Sequence, residues 1–227
     1  MPALAPAQGR DLDAVGMALV LLLLILSLSA HECMHAWVAL QRGDPTGRDL
    51  GRITLNPLPH IDLFMTVVLP AMFYLTTGMI FGGAKPVPVD TRRLRNPTSD
   101  MALVAFAGPF SNLVLALFLL ALYFGLLQAG LYAEGQRLPR VLKQAFELNV
   151  LLAVFNLIPI PPLDGSRVMT SLLPPSLRVP YQSLERFGIL ILLGLLYLFP
   201  PFQRLVWDGI SWVESGMYGI VRSLGIG

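Results

Sequence analysis

Apolar residues fall along this chain in long blocks rather than in the short rhythm of half-buried strands or surface helices. Residues 14–40 are dominated by Ala, Val, Leu and Ile and are interrupted mainly by His31, Glu32 and His35. Four more blocks follow at 61–81, 101–127, 141–160 and 187–199, the first of them broken by Pro70 and Gly78. Blocks of this kind match the ~20 residues that a helix needs to cross a bilayer. A sixth block, 202–224, carries Arg204, Asp208, Glu214 and Arg222. It reads as an interfacial or loosely packed helix as readily as a span. The first block is too long for a secretory signal, and Arg10, Asp11 and Asp13 before it are not a basic leader, so it reads as a retained helix.

The segments between the first three blocks are different. Residues 51–61 read GRITLNPLPHI and residues 82–100 read GGAKPVPVDTRRLRNPTSD. Both are rich in Pro and Gly, with short β-like pieces at 52–55 and 87–89, and are expected to be irregular. Composition agrees with a membrane protein: 55% of residues are hydrophobic and 13% charged, about half the charged share of a soluble domain. A net charge of +2 and the lack of any block of like charge give no reason to expect nucleic acid. One cysteine rules out an intrachain disulfide.

Loop charges set an orientation. Arg42, Arg48 and Arg52 follow the first block, and Lys85, Arg92, Arg93 and Arg95 precede the third. Both groups belong on the cytoplasmic side. That requires residues 61–81 to enter and leave on one face, which a re-entrant segment packed in protein can do.

The candidate chemistry lies at positions 31–35, HECMH. Residues four apart share a helix face, so both imidazoles can bind one metal ion. Glu32 projects about 100° away around the helix, beside the metal, where it can accept a proton from bound water. Chance is a weak explanation here, because each ionisable group in a bilayer costs roughly 2.5 kcal/mol or more. A catalytic zinc takes three protein ligands, so a third is needed. Asp164, on the Pro-rich segment FNLIPIPPLDGSR at 155–167, is one candidate, although an Asp-Gly pair is also an ordinary turn. His60 is the rival, and could instead serve substrate or face the headgroups. Asn112 and Asn149 are polar residues in apolar helices: Asn149 reads as interhelical glue, and Asn112 either as packing glue beside Gly108 and Ser111 or as an active-site contact.

HECMH on a membrane helix, GPFSN at 108–112 and NLIPIPPLDG at 156–165 together resemble the site-2 protease family of intramembrane zinc metalloproteases. The segment GRITLNPLPHID at 51–62 further resembles its compact prokaryotic branch. The resemblance implies one zinc held by His31, His35 and Asp164, Glu32 as general base and acid, and cleavage of transmembrane segments within the bilayer. It also implies that Asn156 sits beside the site on substrate backbone or the oxyanion.

The expected fold is therefore an all-α polytopic membrane protein, a single domain over 1–227. A three-helix catalytic core (about 14–165) would carry a re-entrant or short β element between its first two helices, and one or two C-terminal helices (about 180–227) would follow. Its partners would be transmembrane substrates and the lipid bilayer, with no attached PDZ or CBS domain, and its place the cell membrane, with the active site towards the cytoplasm. The alternatives are a non-catalytic relative that binds membrane helices, or a metal or ion transporter. Retention of Glu32 argues against the first, and the lack of a repeat or a second polar relay argues against the second.

Overall fold

The computed structural model describes residues 13–62, 68, 83–134 and 136–226. Those residues form helices α1 (Ala14–Gln41), α2 (Thr46–Asp49), α3 (Pro97–Gln128), α4 (Arg137–Asn156), α5 (Asp164–Leu172), α6 (Pro175–Gln182), α7 (Gly188–Leu198) and α8 (Pro200–Ser223), with short 3-10 turns between some of them. No strand occurs among the described residues. The re-entrant element expected over 61–81 lies almost wholly outside them.

Among the described residues, three helical runs are long and apolar enough to cross a membrane: Ala18–Gln41, Pro97–Gln128 and Pro175–Leu198. The chain is a membrane protein. Helix α4, expected as a core span from residue 141, starts earlier, at Arg137, and is not among the three. Its Arg137, Arg140, Lys143 and Glu147 dilute the apolar run.

Helix α1 begins where the Asp13 carboxylate accepts the Gly16 N–H at 2.8 Å, satisfying one of the donors that a helix start leaves open. It ends at Gly43, whose φ of 110° would strain any residue with a side chain. Helices α1, α3 and α4 pack on one another, and α5 packs on α3. Between them lies an apolar core of Leu119, Leu120, Leu142, Phe146 and Val150. Amphipathic α8 closes this core with Val206, Ile210, Met217 and Val221. This spacing puts one stripe of the helix inward.

The two segments expected to contain short β pieces have none at 52–55 or 87–89. Pro86 and Pro88 cannot donate to a ladder, and buried side chains hold the backbone instead. The Arg52 guanidinium donates to the carbonyls of Pro59, Lys85 and Pro86. The Asp44 carboxylate, fully buried, accepts from the Thr46 N–H and hydroxyl and from the Asp90 N–H. The Lys85 N–H donates to the His60 carbonyl at 2.8 Å. These contacts clamp residues 85–90 against the segment that follows α1.

Candidate active site

His31 and His35 lie on adjacent turns of α1, both buried, with their rings nearly perpendicular at 86°. Their Nε2 atoms are 3.0 Å apart. Asp164, the first residue of α5, brings its Oδ2 to 3.2 Å from His31 Nε2 and 3.3 Å from His35 Nε2. It is the only such cluster of three metal-type ligands among the described residues.

The turn after α4 delivers Asp164. A Cβ at Gly165 would stand 2.2 Å from the Leu157 carbonyl oxygen, so α5 can start this close only with glycine there. Tyr181 braces the same turn through its hydroxyl, which donates to the Pro159 carbonyl at 2.7 Å. On the opposite side, α3 passes the imidazoles at Gly108. A Cβ there would lie 2.4 Å from His35 Nε2 and 2.6 Å from His31 Nε2, in the space the donors share. The close approach of α3 at Gly108 is thus made to the histidines themselves.

The far side of each imidazole is occupied. His35 Nδ1 is 2.7 Å from the Val104 carbonyl oxygen, which only accepts, so Nδ1 carries the proton. His31 Nδ1 is 2.6 Å from Asn112 Oδ1. Both Nε2 lone pairs then face each other and a carboxylate oxygen that receives no hydrogen bond. Three acceptors converging at 3.0–3.3 Å repel one another unless a cation sits among them. Zinc with bonds of about 2.0–2.1 Å spaces tetrahedral ligands about 3.3–3.4 Å apart. The donor set fits zinc in kind and in spacing.

Glu32 is half-buried beside this cluster, and its Oε2 accepts the Val87 N–H at 2.8 Å. That backbone donor was not foreseen, since an amide carries no sequence signature. The other expected residues are placed as follows. His60 does not join the cluster: it is 2% exposed, and its Nε2 donates to the Thr54 carbonyl at 3.0 Å. Asn112 is buried with both polar atoms engaged inside the protein, so its amide serves His31 rather than an open substrate position. Asn156, the last residue of α4, is half-buried, and its Nδ2 donates to the Leu152 carbonyl at 3.0 Å. Cys33 is half-buried and outside the cluster.

Two imidazoles and a carboxylate closing on one point make this a membrane protein with a candidate metal site. Comparison with known proteins gives that class its chemistry. Residues 133–199 match the model of peptidase family M50. The chain is 38% identical over 198 residues to the "Putative zinc metalloprotease YwhC" of Bacillus subtilis (strain 168), covering 86% of this chain and 87% of that protein. It is 31% identical over 205 residues to the "Putative zinc metalloprotease Rip2" of Mycolicibacterium smegmatis, covering 89% and 76%. It is also 32% identical over 218 residues to the protein of that name from Mycobacterium tuberculosis (strain H37Rv), covering 93% and 80%. No solved structure matches the chain. The chain belongs to peptidase family M50, the site-2 protease family. The family is one of metalloproteases, and zinc is the metal it implies.

Proposed function

We propose that this protein hydrolyses peptide bonds within or next to transmembrane segments of other membrane proteins, with zinc held by His31, His35 and Asp164. The observation that carries the reading is the convergence of Nε2, Nε2 and Oδ2 at 3.0–3.3 Å on a helix apolar enough to span a membrane. Bound zinc supplies the acidity of a water molecule and the polarisation of a carbonyl.

The protein's own residues do the rest. Glu32 removes the proton from the attacking water and passes it to the leaving amine, a transfer worth about 10²–10⁴-fold in rate. The Val87 N–H holds Glu32 through Oε2 and leaves the other carboxylate oxygen for this work. Burial of His31 and His35 keeps the site out of bulk solvent. A substrate helix has to unwind locally, because its peptide carbonyls are otherwise hydrogen-bonded and shielded. The arginines at 42, 48, 52, 92, 93 and 95 favour a cytoplasmic location for this end of the bundle.

The test is cleavage of model transmembrane peptides by purified protein in detergent, with zinc measured on each variant. Wild type should cut and carry one zinc. Glu32→Gln should keep zinc and lose about 10²-fold or more in kcat, and Asp164→Ala should lose the metal. Wild type without zinc would sink the reading. Zinc retained in Asp164→Ala would remove Asp164 from the ligand set.

A further inference from the structure

Behind His31 runs a line of buried polar side chains whose direction is set at its far end. Asn149 Nδ2 lies 2.8 Å from the Ala145 carbonyl oxygen and 3.0 Å from Ser27 Oγ. Ser27 spends its own proton on the Leu23 carbonyl at 2.7 Å, so it can only accept from Asn149. The Ala145 carbonyl also only accepts. The nitrogen end of the Asn149 amide must therefore face these two groups, and its Oδ1 faces Asn112. Asn112 Nδ2 donates to that oxygen at 3.0 Å, which turns Asn112 Oδ1 towards His31 Nδ1 at 2.6 Å. An oxygen there requires the proton on Nδ1. A backbone carbonyl on α4 thus dictates, through two amides, which nitrogen of an α1 imidazole keeps its lone pair. Ser27, Asn112 and Asn149 are each 1% exposed, so no water competes for these bonds.

We propose that Ser27, Asn149 and Asn112 form a hydrogen-bond relay of fixed polarity that holds His31 as its Nδ1–H tautomer and presents Nε2 as a ready metal ligand. The inference rests on the zinc reading of the site. Asn149 and Ser27 are positioning residues that act through Asn112 and touch neither metal nor substrate. His35 needs no such relay, because the Val104 carbonyl fixes its tautomer directly. Glycine at 108 leaves no room for a side chain to orient the rings from the front, so orientation has to come from behind.

The chain has three histidines, which makes the tautomers readable by nitrogen-15 shifts of histidine-labelled, metal-free protein at about pH 10, above the ordinary imidazole range. Wild type should show His31 and His35 as Nδ1–H and His60, whose Nε2 faces the Thr54 carbonyl, as Nε2–H. Asn149→Leu frees the Asn112 amide to rotate, so His31 should populate Nε2–H and zinc should bind roughly 10–100-fold more weakly, with His35 and His60 unmoved. Adding Asn112→Asp to that variant should restore both readouts, because a carboxylate offers His31 an acceptor in either orientation. Wild-type His31 found as Nε2–H overturns the relay whether or not the variants fold. Asn149→Leu with an unchanged tautomer and affinity overturns it too. A wild type with the expected tautomers but no zinc affinity supports the relay and overturns the metalloprotease reading instead.

Discussion

Two buried polar assemblies meet at this site, and they are built on opposite plans. Behind His31, in the helices, side chains from three helices bond to one another, Asn112 to His31 and Asn149 to Asn112 and Ser27, and are anchored on helix carbonyls at Leu23 and Ala145. Beside Glu32, in the irregular segments, side chains bond to backbone: Arg52 to three carbonyls, Asp44 to the Thr46 and Asp90 amides, and Glu32 to the Val87 amide. The reason lies in the backbone. A helix satisfies its own N–H groups and leaves only second lone pairs on its carbonyls, so polar side chains between helices link to one another and to those carbonyls. The proline-rich segments have no ladder, and every buried backbone group there needs a partner from a side chain. The helical assembly orients the proposed metal ligands, while the loop assembly holds Glu32, the proposed general base.

Changes on either side should therefore fail differently. The largest effect is expected at the meeting point. Gly108→Val puts a branched side chain into the space between the two Nε2 atoms, and zinc content, measured after purification, should fall below detection with cleavage. A folded Gly108→Val protein with a full complement of zinc would show that α3 yields more readily than this packing allows.

A smaller effect of a different kind is expected of Arg52→Met. It leaves the Pro59, Lys85 and Pro86 carbonyls without their donor, which should cost about 2–4 kcal/mol in unfolding experiments. Zinc affinity should hold within about twofold while kcat drops, because Val87 is released from Glu32 but the histidines are not disturbed. Equal losses of zinc affinity and of kcat would mean that the two assemblies are not separable.

The smallest effect is expected at the far end of α1, where Asp13 caps the helix. The Gly16 N–H, and after it the Arg137 guanidinium, hold the Asp13 carboxyl below its ordinary value. A depressed folded pKa stabilises the folded state above the ordinary carboxylate range, and the gain is lost as pH falls through the folded value. The Tm gap between wild type and Asp13→Ala should thus be small near neutrality and close on acidification below the ordinary carboxylate range. A gap that widens on acidification would contradict this cap.

Legibility in the sequence tracked the same division. HECMH announces itself because i and i+4 share a helix face, a local rule that tertiary context does not alter. Asn149 was readable as glue between helices, since a lone amide in an apolar helix has few other partners. Its place in an ordered relay was not, because the order depends on which carbonyl lies within reach of Nδ2. The short β pieces expected at 52–55 and 87–89 failed because Val and Ile favour strands while the prolines beside Val87 deny it a ladder. Arg52 was legible only as a positive charge near the membrane, and its work as a clamp follows from burial that no pattern at 51–61 reveals.

By itself the sequence determined that the chain lives in a membrane and that His31 and His35 share a face. Long apolar blocks and the pitch of a helix leave no other outcome. Residue types and spacing left Asp164 and His60 open, and the family resemblance favoured Asp164; the tertiary structure brings Asp164 to the two imidazoles, leaves His60 apart, and shows that Gly108 gives the donors their room and that His31 turns Nε2 forward. These facts depend on distances between α1, α3 and α5. Such distances are set by how whole helices pack, and no local spacing along the chain encodes them.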